Sequence, residues 1–158
     1  GIEGAQLIAR IVYETLQANS QQQSAIAIAK AGLDICQSDR FIHQMHQVIQ
    51  WLEQLEDNRN ISISPQDVRQ VLGNGMTATA SCATAIYGGL AFKDRPFLEL
   101  IEFIRQIGGD TDTIAAMAGA IWGSDRGVEA FDPWMIDRLE QADKIHQLGA
   151  QLYDVCRS

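Results

Sequence analysis

Apolar residues recur at intervals of three and four along almost the whole chain, and no stretch alternates with period two for long enough to build a sheet. Ile2, Ala5, Ile8, Ala9 and Val12 begin such a stripe almost at the first residue, in a helix expected over 3–18. Ala25, Ile28, Ala29 and Gly32 share one side of a second helix over roughly 20–38, and Phe41, Met45, Val48 and Leu52 are in register in a third over roughly 39–56. The polar stretch Asp57-Asn58-Arg59-Asn60 reads as a loop, and Asn60-Ile61-Ser62-Ile63 is too short for a strand. Ser64-Pro65-Gln66-Asp67 opens a short fourth helix, with Ser as cap, Pro at the first position and an acid in the first turn. Gly73-Asn74-Gly75 ends it. A helix of small residues follows over 77–92, a turn at Lys93-Asp94-Arg95-Pro96, and a helix over 97–107 with Leu98, Ile101 and Ile104 on one face. Farther on, Gly123 to Gly127 reads as a loop and Pro133 opens a last region, where Leu139, Ala142, Ile145, Gly149, Leu152 and Val155 fit a single stripe. The expected fold is one all-α unit spanning residues 1–158.

Composition narrows the function classes. At 158 residues and 46% hydrophobic, the chain is long enough for one core, and it contains no apolar run of the roughly 18 residues a transmembrane helix needs. A net charge of −8 argues against a nucleic-acid backbone or an anionic membrane as partner, because both reward basic patches. A small molecule or a protein is the expected partner. An acidic protein holds an anionic ligand with backbone N–H groups, helix N-termini or metals. Cys36, Cys82 and Cys156 are odd in number and widely spaced, which suits free thiols in a reducing compartment, and a cytoplasmic location is expected on that ground.

Gly108-Gly109-Asp110-Thr111-Asp112-Thr113 crowds two carboxylates and two hydroxyls onto one turn, ahead of a run from Ile114 to Ile121 that is apolar on every side and reads as a buried helix. If the glycines end one helix and Asp110 caps the next, the polar tips cluster over a helix N-terminus. Two readings are open at this point. Asp110 can be an ordinary N-cap with Asp112 a favourable first-turn acid, or the oxygens can serve a hard cation such as magnesium or calcium. The positive end of the helix dipole opposes a cation, so a metal site here needs further carboxylates from elsewhere. Gly119 inside the helix needs a packing reason, and Ala115, Gly119 and Gly123 at four-residue intervals offer a flat face for another helix. Gly73-Asn74-Gly75 allows left-handed backbone, so its amides can turn inward at a ligand, although the tripeptide alone reads more simply as a helix C-cap and turn.

The stretch Gly-Gly-Asp-Thr-Asp-Thr-Ile-Ala-x-Met-Ala-Gly-Ala-Ile resembles the C-terminal metal motif of the ADP-ribosylglycohydrolase family. Leu72-Gly73-Asn74-Gly75 followed by Thr84-Ala85-Ile86-Tyr87 is similar to the family's upstream signature, most of all in the branch acting on O-linked ADP-ribose, including serine-linked and polymeric forms. The resemblance implies a Mg²⁺-dependent hydrolase with two ions, Mn²⁺ being a possible substitute. It implies Asp110, Asp112 and Thr113 as metal ligands, and Asn74, Gly75 and the backbone of Met76 as ADP-ribose contacts. It also implies an N-terminal half with a Gly-Asp-x-x-Gly segment, a Thr-Asp-Asp-Thr metal motif, a general-base Glu and a Ser/His-containing loop. No Asp-Asp pair occurs in this chain, and Gly1 stands where an initiator Met would. The expectation is therefore a C-terminal half that contains no catalytic base, is inactive alone and exposes an apolar surface where its N-terminal half docks. One departure concerns the ligand wall: where the family usually reads acidic-Ser-Val-Pro, this chain has Ala80-Ser81-Cys82-Ala83. A non-catalytic relative that binds ADP-ribose, or a structural one of the lens-crystallin kind, is the alternative.

Other candidates are weaker. His43 and His46 lie three apart on a helix with no third ligand in view, and read as a surface pair. His146 reads as structural. Ser81 and Cys82 lack an orienting base, and Trp51, Trp122 and Trp134 read as core or interface residues.

Overall fold

A computed structural model describes residues 1–21, 23–58 and 61–157, with residues 19–21, 156 and 157 described by backbone alone. Arg59 and Asn60 of the expected loop, and the Cys156 thiol, lie outside that description. No strand occurs among the described residues, in agreement with the all-α expectation. They form two compact units, Gly1–Gly127 and Val128–Ser158, where the periodicity alone reads as one. Gly127, with φ of 72°, ends the last helix of the first unit.

The first unit contains α1 (Ile2–Gln21), α2 (Ala25–Leu33), α3 (Asp39–Asp57), α4 (Pro65–Val71), α5 (Ala78–Ala91), α6 (Phe97–Ile107) and α7 (Thr111–Arg126). Ser64 caps α4 as its sequence predicts, its Oγ accepting the Asp67 N–H at 3.1 Å. Ser24 does the same for α2 through the Ala27 N–H. Ser38 makes no such bond at the start of α3; Glu3 of α1 reaches over instead, its carboxylate accepting the N–H groups of Gln37 and Ser38 at 2.8 and 2.9 Å. Those bonds hold the Glu3 carboxyl below the usual carboxylate range.

The enclosed helix is α5, not α7. Every residue from Ser81 to Leu90 is buried, because α5 packs against α1, α3, α6 and α7 with a sequence of small residues that lets each approach. In α7 only Ile114, Ala118, Ile121 and Trp122 are buried, while Ala116 and Ala120 are exposed, so the apolar run expected to be buried all round is covered on one face. A close crossing joins these two helices: a Cβ on Gly89 would lie 2.7 Å from the Ile121 Cβ. Gly119 is not its counterpart, since a Cβ there would meet only the Phe97 ring at 3.5 Å, and a Cβ on Gly123 would meet nothing. The expected loop from Gly123 is also corrected, as α7 runs on to Arg126. In α6 the buried set is Leu100, Phe103, Ile104 and Ile107, with Leu98 exposed, so the buried face is centred on Leu100, Phe103 and Ile107 rather than on Leu98. Trp122 is buried, and its Nε1 donates to the carbonyls of Phe92 and Arg95, both at 3.1 Å, which closes the turn between α5 and α6. Trp51 stacks edge-on against Tyr87 in the core.

The second unit holds a 3₁₀ turn (Val128–Ala130), α8 (Pro133–Asp137) and α9 (Ala142–Arg157). Ile145, Leu148, Leu152 and Val155 are exposed, as is Trp134, with the Arg138 guanidinium 5.7 Å from its ring centre. Among the described residues, no helix is long and apolar enough to cross a membrane.

Candidate functional site

Two left-handed glycines make the turn between α6 and α7. Gly108 has φ of 72° and donates its N–H to Ile104 O, ending α6, and Gly109 follows with φ of 76°. A side chain at Gly109 is excluded twice over, by that φ and because a Cβ would collide with the carbonyl and side-chain amide of Asn74. The close approach brings the two segments singled out in the sequence into contact. Asp110 donates its N–H to Asn74 O at 2.8 Å, and Asn74 Nδ2 donates to Ile107 O at 3.2 Å.

Asp110 occupies the N-cap position of α7, yet its side chain caps no backbone N–H. Its Oδ1 instead accepts the Thr113 hydroxyl at 3.0 Å. The Asp112 carboxyl is held below the usual carboxylate range, first by a hydrogen bond with the Asp110 carboxyl and then by the backbone N–H groups of Thr113 and of Asp112 itself. Asp112 and Thr113 are exposed and Asp110 is half-buried, so the oxygens stand at a surface. The set is small: no group of three His, Cys, Asp or Glu side chains that could hold a metal occurs among the described residues.

An open groove of about 590 Å³ adjoins this turn, lined by residues that include Gly4, Ile8, Met76, Cys82, Thr113 and Met117. Met76 is 89% exposed. The groove is chiefly apolar, and the expected ligand-turn and metal-turn residues Met76 and Thr113 share it. A separate pocket of about 500 Å³ involving Ser24, Glu56, Lys93 and Arg95 gathers none of the sequence candidates.

Asn74 and Gly75 are half-buried. The turn that carries them is held from beneath by two residues, Thr84, which the sequence offers only as part of a signature, and Gln44, which it does not single out. Thr84 on α5 donates its hydroxyl to Gly73 O at 2.6 Å, and Gln44 on α3 donates from Nε2 to Leu72 O and Thr79 O, both at 2.7 Å. A buried Gln within the apolar face of α3 is the one signal that could have found the second of them.

The remaining candidates stay apart. His43 and His46 are exposed on α3, and His146 belongs to α9. Ser81 donates back to Thr77 O within its own helix. Burial pushes the Cys36 thiol up to about 11, with the Glu3 charge adding to it, and burial likewise raises Cys82. Neither is a thiolate nucleophile at neutral pH.

The sequence profile of the ADP-ribosylglycohydrolase family matches residues 1–158. Among individual proteins, the chain is similar to the Danio rerio protein named ADP-ribosylhydrolase ARH3, at 33% identity over 125 residues, covering 73% of this chain and 32% of that protein. The proteins of the same name from Xenopus tropicalis and Gallus gallus are 37% and 35% identical over 103 residues each, covering 54% and 60% of this chain and 29% and 28% of theirs. The chain thus spans about a third of the length of the curated relatives it matches.

Proposed function

The chain belongs to the ADP-ribosylglycohydrolase family, and from that premise we propose that it supplies one part of the site of a Mg²⁺-dependent enzyme that hydrolyses the bond between ADP-ribose and a protein side chain or an ADP-ribose polymer. The observation that carries this reading is the Asp110 N–H bond to Asn74 O, which ties the carboxylate turn to the Gly73-Asn74-Gly75 turn. Asp110, Asp112 and Thr113 are the proposed metal ligands. Asn74, Gly75 and the backbone of Met76 are the proposed contacts to ADP-ribose.

The residues fit a hard cation. Their donors are oxygens, the Asp110 side chain is not used as a helix cap, and the carboxylates of Asp110 and Asp112 stand two residues apart at the surface with the Thr113 hydroxyl bonded to Asp110. They also fall short of a full shell, which accords with further ligands, and a general-base Glu, in a segment outside these residues. Bound there, two Mg²⁺ ions supply positive charge that orients the ribose and favours water as nucleophile at its anomeric carbon. The chain's own residues then have limited tasks: the two carboxylates hold charge in place, the Thr113 hydroxyl fixes Asp110, and the amides near Gly75 orient the ligand. None is a catalytic base. The groove beside Thr113 is the proposed docking surface for the completing segment, and a reducing compartment, the cytoplasm, suits the free Cys36 and Cys82.

The test is release of ADP-ribose from ADP-ribosylated protein, with Mg²⁺ and after chelation, by the 158-residue chain and by the complete enzyme. Release by the complete enzyme alone, abolished by chelation, is the expected result. Metal-dependent binding without release in both returns the protein to a non-catalytic role, and chelator-sensitive turnover by the 158-residue chain contradicts the incomplete-site reading.

A further inference from the structure

Gln44 occupies a place where an apolar residue belongs. The buried face of α3 runs through Phe41, Gln44, Met45, Val48 and Leu52, and Gln44 is only 3% exposed. An amide in such a setting costs stability unless its polar atoms are bonded. Its nitrogen is fully used: the two Nε2 hydrogens go to Leu72 O and Thr79 O. Its Oε1 has no partner. The amide cannot turn over to relieve that oxygen, because Oε1 would then face two carbonyl oxygens. Met would fill the same volume but would take the donor away from the Leu72 and Thr79 carbonyls, so packing alone does not account for the residue.

The position of its acceptors does. Leu72 is the C-cap of α4 and Thr79 lies in the first turn of α5, so one buried –NH₂ ties both ends of residues 73–78 to α3. That segment contains Asn74, whose carbonyl takes the Asp110 N–H at 2.8 Å. We infer that Gln44 is a positioning residue of the site: its amide sets the span of the 73–78 turn and, through the Asn74 carbonyl, the place of the Asp110 turn relative to the ligand-facing amides. The inference rests on the proposed roles of residues 74–76 and 110–113. Gln44 itself touches neither ligand nor metal in this account.

The experiment uses Gln44→Met, which keeps length and apolar bulk and removes both donors, beside Met45→Ala, which damages the adjoining core position and leaves the clamp alone. Hydrogen exchange of the chain reads the Asp110 amide against the Ile86 amide of α5, so that global unfolding cancels from the ratio. ADP-ribose titration of the complete enzyme reads affinity in both variants and in Gly75→Val. A positioning role predicts Asp110 exchange at least ten-fold faster relative to Ile86 in Gln44→Met only, and affinity at least ten-fold weaker in Gln44→Met and Gly75→Val but not in Met45→Ala. An unchanged exchange ratio, or affinity lost in Gly75→Val but kept in Gln44→Met, overturns the positioning role. Affinity kept in both, with exchange accelerated in Gln44→Met, overturns the ligand reading of residues 74–76 on which the inference rests. Should Gln44→Met fail to fold, Gln44→Leu, which also removes both donors and buries no charge, is read the same way, with the same shifts expected and their absence decisive against the role.

Discussion

Asp110 stands at the start of α7 and does not cap it, whereas Glu3 caps α3 from another helix altogether. The contrast separates two uses of a carboxylate. Glu3 is engaged with two backbone N–H groups, a stabilising arrangement at a helix N-terminus. Its folded-state pKa is lowered from 4.5, so its contribution is present above that ordinary value and is lost as pH falls through the lowered one. Glu3→Gln is therefore expected to melt below the unmutated chain at neutral pH, with the gap closing as the medium is acidified past the Glu3 titration. Thermal midpoints across an acid series check this, and a gap independent of pH contradicts it. The carboxylates of the Asp110 turn were legible as candidates because they are neighbours in sequence. Gln44 was not, and Thr84 was legible only as part of a signature, since what matters about them is a bond to a carbonyl 28, 35 or 11 residues away, and periodicity carries no such information.

Among the elements, α5 decides how close the others can come. A Cβ at Gly89 would lie 2.7 and 2.8 Å from Ile121 Cβ and Cγ2 and 3.1 Å from Ala118 O. Gly89→Ala gains about 1 kcal/mol of helix propensity but overpacks the crossing at a cost of about 1–3 kcal/mol, so a net loss of stability is expected in urea unfolding. Gly119→Ala meets Phe97 at an ordinary 3.5 Å and is expected to be neutral or to stabilise by up to about 1 kcal/mol. The reverse order of the two variants would contradict the packing described. Helix type and most boundaries were readable from spacing and caps, as at Ser64 and Pro65. Which helix is enclosed was not. The runs in α5 and α7 are both small and apolar, and only the tertiary arrangement surrounds one of them while leaving Ala116 and Ala120 of the other open.

At the scale of the whole molecule, the chain carries a family match from end to end and about a third of the length of its relatives. Hydrolysis as proposed depends on metal held at the Asp110 turn. Asp112 tests it most directly, because Asp112→Asn preserves size and much of the hydrogen-bonding capacity of the first turn while removing one charge from a site short of carboxylates. The measurement is Mg²⁺ titration and ADP-ribose release for the complete enzyme and its Asp112→Asn variant, side by side, with melting recorded in the absence of metal. Weakened Mg²⁺ binding is expected in Asp112→Asn, with turnover lower by roughly two orders of magnitude or more and metal-free melting little changed. Equal Mg²⁺ dependence and near-normal turnover in the two proteins would reduce Asp112 to a helix-start residue and contradict the metal assignment.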